Sequence, residues 1–326
     1  MRELMVRDAI CEALDEEMAR DDSVFVMGED VGLLGGNFKC TVGLYEKYGD
    51  LRCKDSPISE AGIVGIGVGA AIVGMRPVIE LMFADFLAVA MDQICNQAAK
   101  ITYMSGGQAR VPLTLRMPLG GGRSSAAQHS QSPHAWVAHC PGLKVVMPST
   151  AGEAKGLLKT AIRDNNPVIF FEHKMLYTVK FSDVPNAEED VCIPFGKARI
   201  VCEGNDITVV ASSMMTIKAE KAIAQLRKEG INADLIDLRT IVPLDTDAII
   251  KSVKKTGRLL IVDEGHTSFG ISGEIALRIM RDVFYDLEAP IERLGTADVP
   301  MPFSPALELP LIPDEKSIAT KIREMV

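Results

Sequence analysis

Apolar residues recur with two different periods along the chain, and the switching between them predicts the architecture. Over residues 5–20, Val6, Ala9, Ile10, Ala13, Leu14 and Met18 fall on one stripe with charged residues between them, the 3.6-residue period of an amphipathic helix. Short apolar runs at 24–27, 77–80, 113–115, 143–147 and 168–171 read as strands. Between them, residues 86–103 read as a helix stopped by Ser105-Gly106-Gly107, and 152–163 as a helix started by Pro148-Ser149-Thr150. The alternation then restarts, with strands at 207–211, 233–238 and 259–262 and helices over 217–229, 245–255 and 273–281. Gly230 and Gly257 end the first two of those helices. Strand and helix alternating twice over predicts an α/β fold with two parallel-sheet domains.

Between them the text becomes acidic and proline-containing, through Pro185, Glu188, Glu189, Asp190 and Pro194. This stretch places the domains at 1–185 and 199–326 with a linker at 186–198. The length of 326 residues agrees with two domains at roughly 150 residues each.

Composition narrows the function classes. With 47% hydrophobic and 24% charged residues the chain is globular rather than disordered. Its 35 basic and 44 acidic residues give a net charge of −9, and no basic run exceeds Lys254-Lys255, so a nucleic acid is not an expected partner. The longest uncharged run, 61–75, falls short of the about 20 residues of a membrane span, and the first eight residues hold no apolar signal core. Seven cysteines, at 11, 40, 53, 95, 140, 192 and 202, form no C-x-x-C pair. That spacing argues against a disulfide framework or a zinc site and suits a reducing, cytoplasmic setting.

Three features carry candidate chemistry. Gly65, Gly67 and Ala70 match a dinucleotide fingerprint in letters, which would make the chain an NAD-binding oxidoreductase. That fingerprint needs a strand directly before it, and Asp55 to Ala61 reads as a loop and a helix cap. The packing alternative is that Gly62, Gly65 and Gly69, with Ala70 and Val73, give a helix side low enough for another helix to approach.

Ser59 followed by Glu60 reads either as an N-cap with a first-turn acid, or as an acid held at the mouth of an apolar pocket where it shares a proton with a ligand nitrogen. Glu29 follows the first strand at its carboxyl end, where α/β proteins bind ligands. His129, His134 and His139 recur every five residues, about 140° apart on a helix, so they do not form a metal-binding face. His129 follows the flexible stretch Gly120-Gly121-Gly122 and is a candidate acid or base; His134 and His139 also fit structural roles.

These residues sit in a series of ordered motifs: Pro57-Ile-Ser-Glu-Ala-Gly62, Glu80-Leu-Met-Phe-Ala-Asp-Phe86, Tyr103-Met-Ser-Gly-Gly107, Ala127-Gln-His-Ser-Gln131, His139-Cys-Pro-Gly142 and Asp237-Leu-Arg-Thr-Ile241. Together they resemble the beta subunit of the thiamine-diphosphate-dependent 2-oxo acid dehydrogenase component, shared by pyruvate, acetoin and branched-chain enzymes. The resemblance implies a pyrimidine-binding transketolase-like domain followed by a transketolase C-terminal domain. It also implies that Glu60 bonds the aminopyrimidine ring and favours its imino tautomer, which assists loss of the thiazolium proton. By the same matching, Phe86 stacks on the pyrimidine with Met82 beside it. Glu29 lies in an acidic channel, and His129 assists acyl transfer to a lipoyl arm. Leu113, Ala161, Asp164 and Asn166 match a structural potassium site formed mostly by carbonyl oxygens.

The chain has no Gly-Asp-Gly segment of the kind that, with a later Asn-Asn, holds diphosphate through Mg²⁺; its Asn165-Asn166 stands alone. The resemblance therefore implies an alpha subunit carrying the Mg²⁺ half, in an α2β2 heterotetramer, and a lipoyl acyltransferase core that the −9 charge suits for docking of a basic domain. Glu172-His-Lys-Met-Leu-Tyr177 leans towards acetoin and pyruvate members. Gly35 to Gly43 and His129-Ser-Gln-Ser-Pro133 lean towards branched-chain ones. Acetoin or pyruvate is the favoured substrate.

Overall fold

The stripe read on residues 5–20 becomes the helix Val6–Arg20, with Val6, Ala9, Ile10, Ala13, Leu14 and Met18 all buried. The computed structural model describes residues 1–326, in two units: Met1–Leu119 with Trp136–Phe195, and Gly120–Ala135 with Gly196–Val326.

The first unit contains β1 (Arg2–Met5), β2 (Val24–Gly28), β3 (Cys53–Asp55), β4 (Arg76–Glu80), β5 (Thr114–Leu119), β6 (Lys144–Val146), β7 (Val168–His173) and β8 (Lys180–Val184). Strands β6-β7-β5-β4-β2-β3 lie side by side in that order, every pair parallel, while β1 and β8 pair antiparallel in a separate ribbon. Every residue of β2, β5 and β7 is buried, which is why they read as continuous apolar runs rather than as alternation. The helix Ala151–Arg163 starts where Pro148-Ser149-Thr150 predicts: Thr150 caps the N–H of Glu153, and Glu153 accepts in turn from the N–H of Ser149. It packs on Val6–Arg20 through charge as well as apolar area, since buried Lys155 bonds Glu12 at 2.6 Å and Glu16 at 2.7 Å.

The second unit contains β9 (Arg199–Cys202), β10 (Ile207–Ala211), β11 (Ala233–Asp237), β12 (Thr240–Val242), β13 (Leu259–His266) and β14 (Glu292–Thr296). Its sheet runs β14-β13-β10-β11-β9, parallel except at β9. The helix Met214–Leu226 and the C-terminal helix Glu315–Met325 bring Met215, Ala219, Ile223, Ile318 and Ile322 into one core with β10 and β11.

Three expectations change. The helix read over 86–103 is broken into a 3-10 turn at Ala84–Ala88, a π-helical segment at Gln93–Ala98 and a short helix at Ile101–Met104. Asp92 accepts from Asn96 four residues on and from Gln97 five residues on, so its carboxylate supports the wider turn. Cys95 and Cys140 form a disulfide, with Cα atoms 6.0 Å apart. Neither the missing C-x-x-C pair nor the odd cysteine count bears on a single bridge between residues 45 apart in sequence, which only the fold brings together. Finally, the residues from Gly120 to Ala135 group with the second unit, although the linker at 186–198 is the only boundary that composition marks.

Candidate active site

The strand order of the first unit turns back at β2: the chain leaves β2 for β3 on one side and returns to β4 on the other. The carboxyl ends of β2 and β4 therefore border a topological switch point, where a parallel sheet opens a crevice. Gly28 ends β2 directly opposite Glu80, which ends β4. A Cβ at Gly28 would stand 2.7 Å from the Glu80 carbonyl oxygen, so only glycine lets the strands close at this point.

Glu29 is the next residue, and Glu60 opens the helix Glu60–Ile72 that runs from β3 towards β4. Both carboxylates are buried, at 7% and 8% exposure. Burial pushes the Glu29 carboxyl above its ordinary range, and the nearby charges of Glu60 and Asp30 push it in the same direction. Glu29 Oε1 is buried with no protein partner. The two acids expected from sequence thus come together as a pair, one of them biased to keep its proton.

Ser59 occupies the N-cap position of this helix but its hydroxyl makes no cap bond, so Glu60 is not part of a side-chain capping arrangement. Gly65, Gly67 and Ala70 lie inside the same helix, with β3 ending at Asp55. A short strand and a loop do precede this helix, but the fingerprint glycines lie inside it rather than in the turn that would cradle a pyrophosphate, and the NAD-binding reading based on them falls. The packing alternative holds at Gly65, where a Cβ would stand 3.6 Å from Gln93 Cγ of the π-helical segment, but not along the whole side. Gly67 is the residue in close contact, where a Cβ would stand 2.6 Å from Ile79 Cγ1, whereas Gly69 has open space and Gly62 and Val73 are exposed. The low side of the helix faces outward, with Ile66 and Val73 beside it at 53% and 80% exposure.

After β4, Met82 and Phe86 are half-buried. Phe86 meets Phe83 edge-on at 5.9 Å, Phe83 meets Phe38 at 5.8 Å, and Phe38 stacks on Tyr177 at 4.9 Å. Under these rings lies a charged cluster centred on Arg116, a residue that none of the sequence motifs contains. Arg116 on β5 donates to Glu80 at 2.9 Å and to both oxygens of Glu172, whose Oε2 also accepts from the Tyr177 hydroxyl at 2.6 Å. Burial works against the Arg116 charge, but Glu172 and Glu80 hold it protonated. Burial raises the Glu80 carboxyl despite Arg116, and raises the Tyr177 hydroxyl with the help of Glu172. The signal was present in the sequence: charged residues end or interrupt three otherwise apolar strands.

His129 sits half-buried on the loop after β5, within the second unit. His134 is fully buried there, 3.0 Å from Asp263 within β13, and that carboxylate keeps its imidazole protonated more readily than usual although burial opposes the charge. His134 is thus held in the interior against a carboxylate, while His139 is exposed in the first unit.

Leu113, Ala161, Asp164 and Asn166 lie in the first unit. The Asp164 carboxylate bonds Lys144 and the Asn166 N–H, and its carbonyl accepts from Arg76 at 3.0 Å. The Leu113 and Ala161 carbonyls accept one backbone N–H each, which leaves each a second lone pair.

The transketolase pyrimidine binding domain model matches residues 2–180, and the transketolase C-terminal domain model matches residues 196–318. The chain is 47% identical to the 2-oxoisovalerate dehydrogenase subunit beta of Bacillus subtilis, over 98% of this chain and 97% of that one. It is 48% identical to the mitochondrial pyruvate dehydrogenase E1 component subunit beta-1 of Arabidopsis thaliana, over 97% of this chain and 88% of that one. A split gene transketolase, described as an inactive beta4 tetramer, shares the fold at a TM-score of 0.78 and 23% identity, over 99% of this chain and 98% of that one. With both domains matched in order and near-full-length identity to these subunits, the chain belongs to the beta-subunit family of the thiamine-diphosphate-dependent 2-oxo acid dehydrogenase E1 component.

Proposed function

We propose that this chain supplies the pyrimidine side of a thiamine diphosphate site and works with an alpha subunit, in an α2β2 assembly, to cleave the carbon–carbon bond of a 2-oxo acid or acetoin and pass the acyl group to lipoamide. The observation that carries the reading is the buried pair Glu29 and Glu60 at the β2/β4 switch point, with Glu29 Oε1 unpartnered. An aminopyrimidine offers ring nitrogens and an amino group that such carboxyls can bond, and Phe86 offers a ring face beside them.

When bound, the cofactor supplies a carbon nucleophile and an electron sink. In the proposed roles, Glu60 holds a proton at a pyrimidine nitrogen, Glu29 keeps a second proton near it, and Met82 and Phe86 orient the ring and exclude water. His129 assists the transfer, in which the lipoyl disulfide opens, one sulfur taking the acyl group and the other leaving as a thiol. Mg²⁺ and the diphosphate belong to the alpha subunit in this reading. The exposed low side of the helix Glu60–Ile72, with Ile66 and Val73, suits a partner chain there. A basic domain of the acyltransferase core suits the −9 net charge. A potassium ion, if bound, would use the free lone pairs of the Leu113, Ala161, Asp164 and Asn166 carbonyls, and equal melting midpoints in potassium and sodium salts would remove it.

Pyruvate or acetoin is the favoured substrate, on the motif Glu172-His-Lys-Met-Leu-Tyr177. The 47% identity to the Bacillus subtilis 2-oxoisovalerate subunit keeps a branched-chain 2-oxo acid as the second reading. Co-expression with the alpha subunit and assay on pyruvate, acetoin and 3-methyl-2-oxobutanoate separates them. In that complex Glu60→Gln is expected to lower turnover by at least about 100-fold with assembly intact; full activity would refute the role of Glu60.

A further inference from the structure

The loop that carries His129 is held from below by carboxylates of its own unit. Glu264, in the last stretch of β13 before His266, accepts from the Gly121 N–H on Oε1 at 2.7 Å. Glu308, in the short helix Pro305–Glu308, accepts from the Gly122 N–H on Oε1 and from the Ser124 N–H on Oε2, both at 2.8 Å. Glu308 is fully buried, and Ser124 is only half-buried. A buried carboxylate costs free energy unless it is bonded, and both of its oxygens are spent here on two backbone N–H groups of one loop.

The loop needs that support. Gly120 and Gly122 have φ of 97° and 91°, and Ser124 and Ala126, which are not glycines, stand at 54° and 60°. Glycine takes such φ values freely, but at Ser124 and Ala126 they persist only where surrounding contacts enforce them. A Cβ at Gly121 would stand 2.6 Å from Ile312 Cδ1, so the loop is seated directly on the C-terminal domain. At its other end the Gly120 N–H bonds the Gln131 carbonyl at 3.0 Å, and His134 is tied to Asp263. The far wall of the loop, at Ser130 and Ser132, borders a cavity of about 600 Å³ shared with Glu264, Thr296 and Met301.

From this we infer that Glu308 is a positioning residue for acyl transfer: it fixes the backbone of residues 121–124 so that the loop presents His129 in one conformation. The inference rests on the acyl-transfer reading given above and adds to it a residue nearly 180 positions from the histidine it serves. Glu308 touches no reacting atom; it acts through the loop backbone.

The test uses the assembled complex, with Glu308→Ala, Glu308→Gln and His129→Ala compared in three measurements. These are lipoyl-domain reduction, decarboxylation with an artificial electron acceptor, and amide hydrogen exchange over residues 120–133. Glu308→Ala is expected to speed exchange in the loop at least tenfold and to slow lipoyl reduction at least tenfold while decarboxylation stays within about twofold. Glu308→Gln keeps one acceptor oxygen, so its effects should fall between those of wild type and alanine, and it serves as the folded control if alanine aggregates. Unchanged exchange in both variants overturns the inference. So does faster exchange with normal lipoyl reduction when His129→Ala has lost it. Loss of lipoyl reduction in Glu308→Ala but not in His129→Ala would remove His129 from the transfer step and overturn the inference that Glu308 acts by presenting it.

Discussion

Arg116 and Glu172 face each other as a doubly hydrogen-bonded pair, with Nε to Oε1 at 2.7 Å and Nη2 to Oε2 at 2.9 Å, and each side chain is 1% exposed. The third guanidinium nitrogen reaches Glu80, so one cation neutralises two carboxylates beneath the switch point. Replacing Arg116 by methionine keeps the bulk and leaves both acids buried without a counter-charge. The expected loss is about 3–5 kcal/mol of unfolding free energy, the usual result of breaking a buried pair from one side. Urea unfolding of the isolated chain reads it, and a midpoint equal to wild type would mean that the cluster does not support the fold.

The same cluster shows why part of the site was legible in the sequence and part was not. Glu29 and Glu60 stand next to turn and cap residues, at places where a strand or helix visibly ends, so their location follows from element boundaries alone. Arg116 sits inside Leu113 to Leu119, where local pattern says only that the strand is buried. Its partners lie 36 and 56 residues away, and nothing local reveals the pairing. The loop clamp has the same property at greater range, since Glu308 and Gly122 are brought together only by the second unit's packing. Among the strands, the buried β2, β7, β10 and β11 are close to their expected bounds. The short or half-exposed β1, β3, β8, β9 and β14 have too few apolar positions to be read.

Glu29 gives a pH prediction whose sign follows from its environment. Burial and the neighbouring Glu60 raise its carboxyl in the folded chain, so the folded state binds that proton more tightly than the unfolded state does. Its stabilising contribution is complete below the ordinary glutamate value of about 4.3 and is lost as pH rises from there through the raised folded value. Glu29→Gln carries no such proton. The melting midpoint of the variant relative to wild type should therefore climb as pH rises across that window and then level off. A difference that stays constant with pH would show that Glu29 is not protonated preferentially in the folded chain.

Two glycines of one helix should respond to alanine with opposite signs. At Gly67 a Cβ would meet Ile79 Cγ1 at 2.6 Å, Ile79 Cδ1 at 3.0 Å and Leu113 Cδ1 at 3.2 Å, so the helix would have to lift from β4. Overpacking of this kind costs about 1–3 kcal/mol. At Gly69, two residues on, a Cβ meets nothing within 4 Å, and replacing a helical glycine by alanine recovers up to about 1 kcal/mol of backbone propensity. Thermal unfolding of the isolated chain should thus place Gly67→Ala below wild type and Gly69→Ala at or above it. The order reverses in the test that matters for assembly. If the low side of this helix receives a partner chain, a bulky Gly69→Leu should leave the isolated chain folded but weaken its association with the alpha subunit, read by analytical ultracentrifugation. Normal association of Gly69→Leu would place the partner elsewhere, and a destabilised Gly69→Ala would mean that this helix face is already covered within the chain.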